Sequence, residues 1–294
     1  MKRFENKVVV ITGGGSGLGR LCAKNWAAEG GKIVVTDWVE ERAKKVAAEI
    51  VTDGGTAVGL RADVRSDDDM AAAVQAAVDN YGRIDIMFAN AGRAPQGFGS
   101  VPFEETTVEE FRDLNAVVYD GVFYAGRNAC RQMKKQGGGG NIVVTISAGA
   151  HFAYPKFGAY GAGKAGATGL VRHMAMDWGR FGIRVNALSP THGMSVNFAL
   201  PFEADALGMS YEEAALAEQQ AADASVKWNP YTMFPGPLKL DRPPSLQDNA
   251  NVATFLASDE SSYMSGIIIL SCDGGSAART SIPFPDDWSL EDQA

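Results

Sequence analysis

The strongest constraint on this chain is an alternation that begins almost at its first residues. Short runs of β-branched and aliphatic residues are followed, again and again, by longer stretches with apolar residues at helical spacing. Strands that alternate with helices cannot be joined as hairpins. Each connection crosses over the sheet, which makes the strands parallel and covers both faces with helices. Val8–Thr12 reads as the first buried strand, followed by a glycine-rich turn and a helix over 18–29. Lys32–Asp37 is the second strand, and Glu40–Thr52 a helix with Ala43, Val46, Ala47 and Ile50 on one face. Residues 57–62 form a third strand, Ser66 caps a helix running to Tyr81, and 84–89 form a fourth strand. Further strands fall at 141–147, 184–188 and 267–271, with long helical stretches at 107–135 and 160–181. The expected fold class is α/β, a doubly wound parallel sheet with helices on both faces.

Two segments break the rhythm. Residues 195–245 are rich in proline, methionine and aromatics and hold one Ala/Glu helix over 211–224; such an excursion inside a domain reads as a substrate lid. Residues 280–294 are acidic, contain Pro283, Pro285 and Trp288, and read as an extended tail that can lie on a neighbouring subunit. The expected organisation is one domain over 1–279, lid included, followed by that tail. A net charge of −8 argues against a nucleic-acid partner or an anionic membrane surface, both of which need clustered Lys and Arg. The apolar run 8–11 is too short for a secretion signal, and no segment approaches the ~20 apolar residues of a membrane span. Cys22, Cys130 and Cys272 are far apart, with neither disulfide nor metal-ligand spacing. That usage fits a reducing compartment, so the expectation is a cytoplasmic protein without a metal.

The chemistry concentrates where strands end. Thr12-Gly13-Gly14-Gly15-Ser16-Gly17-Leu18-Gly19 links the first strand to the first helix. Glycines let the backbone turn tightly and approach a pyrophosphate, which sits at the positive end of the helix. Gly13, Ser16, Gly17, Leu18 and Gly19 are therefore cofactor-binding candidates, although a glycine turn alone also suits a loop with no ligand. Asp37 adds context: at the end of the second strand its carboxylate can accept hydrogen bonds from adenosine ribose hydroxyls. It would also repel a 2′-phosphate, and neither Ser16 nor Trp38 is basic, so NAD is favoured over NADP. Otherwise Asp37 is a solvated strand-end acid. Asp63-Val64 and Asn90-Ala91-Gly92 also end strands, where ligands bind in open α/β sheets, though each alone suits ordinary turn chemistry.

Tyr160 and Lys164 stand four positions apart and share one helix face, and Ser147 ends the fifth strand. A phenol ionises near pKa ~10, too high for proton transfer at neutral pH. A neighbouring ammonium favours the phenolate, and a serine hydroxyl can hold the reacting oxygen beside it. Tyrosine and lysine at this spacing are, taken alone, an ordinary helix pair. Serine, tyrosine and lysine in this order on these elements are not.

Taken together, Thr12–Gly19, Asp63, Asn90-Ala91-Gly92, Asn115, Ser147, Tyr160 and Lys164 resemble the short-chain dehydrogenase/reductase family over about residues 5–276. The resemblance implies a single Rossmann-type domain with a seven-stranded sheet, a small-molecule alcohol or ketone substrate, and a homo-oligomer, tetramer or dimer. It assigns Tyr160 as general acid/base, Lys164 as the residue that bonds the nicotinamide ribose and lowers the Tyr160 pKa, and Ser147 as the substrate-orienting group. Asn115 would hold a water that relays protons from Lys164. Ser189-Pro190-Thr191-His192-Gly193 departs from the pattern, with Thr191 where the family carries glycine. Pro190, His192 and Ser195 remain cofactor-side candidates, Ser195 standing where the family often has a threonine. Cys272-Asp273-Gly274-Gly275 resembles the family's ending after the last strand.

Of the histidines, His151 and His192 can face a substrate, while His173 reads as packing or surface. Phe152, Tyr154, Met194, Phe198, Phe202, Trp228, Met233 and Phe234 divide between core packing and an apolar pocket. The functional expectation is an NAD-dependent oxidoreductase that interconverts a hydrophobic secondary alcohol and a ketone. The alternative is a non-catalytic dinucleotide-binding redox sensor on the same fold. An epimerase or dehydratase on this fold would need a larger C-terminal substrate region.

Overall fold

Each short apolar run becomes a strand of one parallel sheet, because each but the last is followed by a described helix long enough to return the chain to the sheet's starting edge. The computed structural model describes residues 2–95, 101–191 and 245–270. In chain order the elements are β1 (Val8–Thr12), α1 (Gly17–Ala28), β2 (Lys32–Asp37), α2 (Glu40–Thr52), β3 (Thr56–Arg61), α3 (Asp67–Tyr81) and β4 (Ile86–Ala89). They continue as α4 (Val108–Asn115), a π-helical turn (Ala116–Asp120), α5 (Gly121–Gln136), β5 (Gly140–Thr145), α6 (Gly158–Trp178), β6 (Ile183–Ser189), α7 (Leu246–Ala257) and β7 (Ile268–Leu270). The strands form a seven-stranded sheet in the order β3-β2-β1-β4-β5-β6-β7. All pairings are parallel. This is the Rossmann-type doubly wound sheet. The direction of winding reverses between β1 and β4, and the loops diverge there at the carboxyl edge to leave a crevice.

The strands are buried on both faces, as near-continuous apolar runs require. Val9, Ile11, Ile33, Val35, Phe88 and Val143 share one core layer with residues of α1, α2 and α7. Val8, Val10, Val34, Met87, Ile142, Val144 and Ile146 share the other with α3, α5 and α6. Alternation along β5 thus places its odd and even side chains on opposite faces. Trp26 of α1 stacks on Phe4 at 5.2 Å and donates its indole N–H to Thr254 Oγ1 of α7 at 2.8 Å.

Boundaries read from the sequence shift where side chains intervene. The fourth strand begins at Ile86 rather than 84, and Gln136 takes both backbone groups of Ile84: its Oε1 accepts from the amide at 3.1 Å and its Nε2 donates to the carbonyl at 2.6 Å. The long stretch read over 107–135 is interrupted by the π-helical turn. Ser66 does cap α3, accepting from the Asp69 amide. The helix α7 went unread; it starts at a capping box between Ser245 and Asp248 and buries Ala250, Ala253, Leu256 and Ala257. His192, Ser195, the rest of the proposed lid through 244 (with Met194, Phe198, Phe202, Trp228, Met233 and Phe234), Cys272–Gly275 and the 280–294 tail lie outside the described residues.

Candidate active site

The crevice is built first from the turn between β1 and α1. Gly13 adopts φ +61, and a Cβ there would lie 2.9 Å from Ala91 Cα. At Gly19 a Cβ would lie 2.3 Å from the Gly13 carbonyl oxygen, so only glycine lets the helix start this close to the turn. Gly17, at φ +48, has nothing within 4 Å of its Cβ position. Ser16 is the N-cap residue of α1 but makes no side-chain cap bond. The first-turn N–H groups of a helix have no acceptor within it, so this end is suited to an anion. Leu18 contributes only backbone to the turn, because its side chain is 2% exposed in the core beneath α1.

Asp37 ends β2 beside this turn. Its Oδ2 accepts from the Gly15 amide at 3.1 Å and its Oδ1 from the Val39 amide at 3.0 Å. Burial pushes its carboxyl above the ordinary range, while the backbone amides of Val39 and Gly15 and the nearby Arg42 pull it back. Gly15 is wedged between Asp37 and Arg42, since a Cβ on it would lie 2.7 Å from Asp37 Oδ2 and 2.6 Å from Arg42 Cβ. Arg42 was not singled out in the sequence; its place in the first turn of α2 is the signal that would have found it. Trp38, next in the chain, is half-exposed at the rim.

Two of the candidates on neighbouring strand ends are engaged by the protein's own groups. The carboxylate of Asp63 is gripped by Arg65, whose Nε donates to both oxygens at 3.0 Å; this pair holds the acid below its usual range. Arg65 also reaches Asp113 of α4, and Asp113 joins Arg93 and Glu110 in one ion-pair network. The Val64 side chain is buried against Gly121 at the start of α5 rather than facing the crevice. Arg65, Arg93, Glu110 and Asp113 were missed because nothing in their spacing ties three separate loops and helices together.

Asn90 is the hub of the crevice floor. Its Nδ2 donates to the carbonyl oxygens of Thr12 at 3.2 Å and Gly13 at 3.4 Å, and its amide donates to Thr12 Oγ1 at 3.0 Å. The Ala91 amide donates to the same hydroxyl at 3.1 Å. Gly92 follows, half-buried, in the loop beyond. Pro190, buried after β6, accepts from the Ala148 amide at 2.8 Å and so holds the Ser147 turn against the end of β6.

Ser147, Tyr160 and Lys164 do come together. Ser147 follows β5 and N-caps a single 3₁₀ turn, accepting from the Gly149 amide at 3.2 Å. Its hydroxyl is hydrogen-bonded to that of Tyr160. Lys164 Nζ lies 5.9 Å from the centroid of the Tyr160 ring and donates to the Thr145 carbonyl oxygen at 2.7 Å. Burial, not the lysine, dominates the tyrosine: it pushes the phenol up to about 12, and the Ser147 hydrogen bond pulls the other way. Burial also brings the Lys164 ammonium down to about 8. In the protein alone, burial is thus the largest cause at both groups. Asn115, the last residue of α4, donates its Nδ2 to the Phe111 carbonyl oxygen at 2.7 Å. Its Oδ1 is turned toward α6, only 2.5 Å from where a Cβ of Gly163 would sit. The π-helical turn starts directly after Asn115, an irregularity frequent at functional sites.

Around the tyrosine, aromatic rings form a row. Phe157 meets the Tyr160 ring edge-on at 6.2 Å, and Tyr154 meets Phe157 at 6.4 Å. His151 packs against Phe152, and its Nε2 is buried without a hydrogen-bond partner. His173 is exposed on α6. Among the described residues no group of three or more His, Cys, Asp or Glu is placed to hold a metal ion. No described helix is long and apolar enough to cross a membrane.

Residues 7–197 match the short chain dehydrogenase family. An uncharacterized oxidoreductase of Thermotoga maritima is 34% identical over 279 residues, covering 94% of this chain and 99% of the relative. The secoisolariciresinol dehydrogenase of Forsythia intermedia is 34% identical over 289 residues, covering 97% and 95%. Among solved structures, that of levodione reductase superimposes with a TM-score of 0.76 at 31% identity, covering 94% of this chain and 100% of that one.

Proposed function

The chain belongs to the short-chain dehydrogenase family, and on that premise we propose that it is an NAD-dependent oxidoreductase interconverting a secondary alcohol and a ketone. The observation that carries the reading is the triplet itself: the buried Tyr160 bonded through its hydroxyl to half-buried Ser147, with the buried Lys164 ammonium beside its ring. Members of this family typically bind a nicotinamide dinucleotide, and the residues here fit one. The uncapped start of α1, with open space at Gly17, suits a pyrophosphate, and Asp37 stands where ribose hydroxyls would reach it. When bound, the nicotinamide supplies the acceptor or donor of hydride.

The protein's own part is proton transfer and orientation. In the reductive direction Tyr160 gives its proton to the carbonyl oxygen of the substrate. In the oxidative direction the same oxygen takes the proton of the substrate hydroxyl. A phenol held up to about 12 is protonated at neutral pH, ready to act as the acid, and oxidation should therefore quicken as pH rises. Ser147 shares the substrate oxygen and fixes its distance from Tyr160. Lys164, with one donor on the Thr145 carbonyl, keeps further donors for the nicotinamide ribose and for a proton path toward Asn115. Tyr154, Phe157 and Tyr160 form an aromatic row beside the reacting hydroxyl, which suits a hydrophobic substrate.

The test is NADH absorbance with NAD over a panel of hydrophobic secondary alcohols, sterols, hydroxyacyl compounds and polyols. Turnover is expected with at least one hydrophobic member. Asp37→Ala should shift the preference toward NADP by about tenfold, the effect of losing hydrogen bonds to a charged group. NAD binding without turnover across the panel would replace the enzyme reading by that of a redox sensor. A wild-type preference for NADP would overturn the role given to Asp37.

A further inference from the structure

We propose that Thr145 is a positioning residue that ties the glycine turn to the Lys164 ammonium, joining the two faces of the sheet through a single residue. The proposal rests on the reading of Tyr160 and Lys164 given above. Thr145 closes β5, and strand alternation gives its side chain the face of Val143, under α1 and α7. There its Oγ1 donates to Asn90 Oδ1 at 3.0 Å. Asn90 in turn donates to the carbonyl oxygens of Thr12 and Gly13, the first residues of the turn. Lys164 arrives from α6 on the opposite face, where Ile142, Val144 and Ile146 pack, and its Nζ donates to the carbonyl oxygen of the same Thr145 at 2.7 Å.

A continuous line of hydrogen bonds therefore runs from Gly13 through Asn90 and Thr145 to Lys164. Thr145 is 4% exposed and Lys164 2% exposed, so water does not compete for the bond between them, while the bonds of Asn90 are part-buried. An asparagine whose Nδ2 is committed to the turn needs a donor for its Oδ1, and the threonine hydroxyl supplies it. Without that donor, Asn90 is left with a half-buried acceptor to satisfy, and its side chain relaxes toward another donor, which shifts the Gly13 carbonyl it holds. The strand end is displaced with it, and with the strand end goes the carbonyl that fixes Lys164. The hydroxyl of Thr145 thus acts on the reaction through Asn90 and Lys164 without touching substrate.

The experiment compares wild type, Thr145→Val and Thr145→Ser. Dinucleotide affinity is read by NADH fluorescence titration, the pH profile of turnover by NADH absorbance, and folding by thermal unfolding. Thr145→Val, which keeps the shape and loses the hydroxyl, should weaken NADH binding about five- to tenfold, the scale of one lost hydrogen bond. It should also move the acid limb of the oxidation profile to higher pH, because a displaced ammonium favours the phenolate less. Thr145→Ser should restore both to within about twofold, since the hydroxyl is back. If Thr145→Val does not fold, Thr145→Ala takes its place against the same serine variant. Unchanged affinity and pH profile in the valine variant would overturn the proposal, as would a serine variant as impaired as valine. Failure of the parent reading looks different: Tyr160→Phe would then turn over normally.

Discussion

The two edges of the one sheet are built from similar residue types used in opposite ways. At the amino edge, polar side chains are spent on backbone. Arg184 of β6 donates to the carbonyl oxygens of Ser258, Ser261 and Met264 and to the Ser261 hydroxyl. Asn186 accepts from the Ile267 amide and donates to the Met264 carbonyl, and Asn141 donates to the carbonyls of Leu256 and Ala257. Together they lock α7 and β7 onto the sheet. At the carboxyl edge a lysine and a tyrosine are buried with proton affinities far from their ordinary values, beside a turn that only glycine can make. Charge at the amino edge satisfies the fold. Charge at the carboxyl edge is held at a cost to stability, as expected of the site proposed to carry the chemistry.

Arg184→Met, the larger of two expected effects on stability, probes the first half of this contrast. Several buried carbonyls lose their donor at once, and unfolding free energy should fall by about 3 kcal/mol, with turnover per folded molecule unchanged. Chemical denaturation and NADH absorbance measure the two quantities. A loss of turnover with stability intact would erase the division between the edges.

Lys164→Met probes the second half, with the opposite sign. In the folded chain burial brings the ammonium from 10.5 down to about 8. Between those values the unfolded chain holds a proton that the folded chain has released, so Lys164 makes stability rise with pH across that window; below it the folded chain bears the full cost. Tyr160 acts the other way: the folded phenol, up to about 12 from 10.0, keeps its proton longer, so its contribution to stability falls above pH 10. Lys164→Met should therefore stabilise the protein by about 2 kcal/mol at pH 7 and abolish the rise between pH 8 and 10. Denaturation curves at stepped pH give both. Destabilisation at pH 7 would show that the lysine belongs to the structural class of polar residues.

The fold was legible in the sequence where one residue pattern matched one element. Lys32–Asp37 and Glu40–Thr52 appear in the structure with the bounds read from their β-branched and amphipathic patterns. The π-helical turn after Asn115 was not, because a five-residue irregularity inside a long helical stretch has no composition signal of its own. The helix α7 was hidden by its own composition: its buried face mixes alanines with Asn249 and Thr254, too weak an apolar signal next to a segment rich in proline. The Ser147, Tyr160 and Lys164 constellation was readable from order and spacing. The tuning of Tyr160 was not, since burial is a property of the packed chain. Nor was the role of Thr145, whose partners Asn90 and Lys164 are brought to it only by strand pairing and helix crossover.

The most direct test of the account is a comparison of Tyr160→Phe with wild type at saturating NAD, with hydride transfer followed as NADH absorbance and NAD affinity measured alongside. NAD affinity should be unchanged and turnover should fall about a thousandfold, the scale of a lost general acid–base group. Turnover within a few-fold of wild type would contradict it.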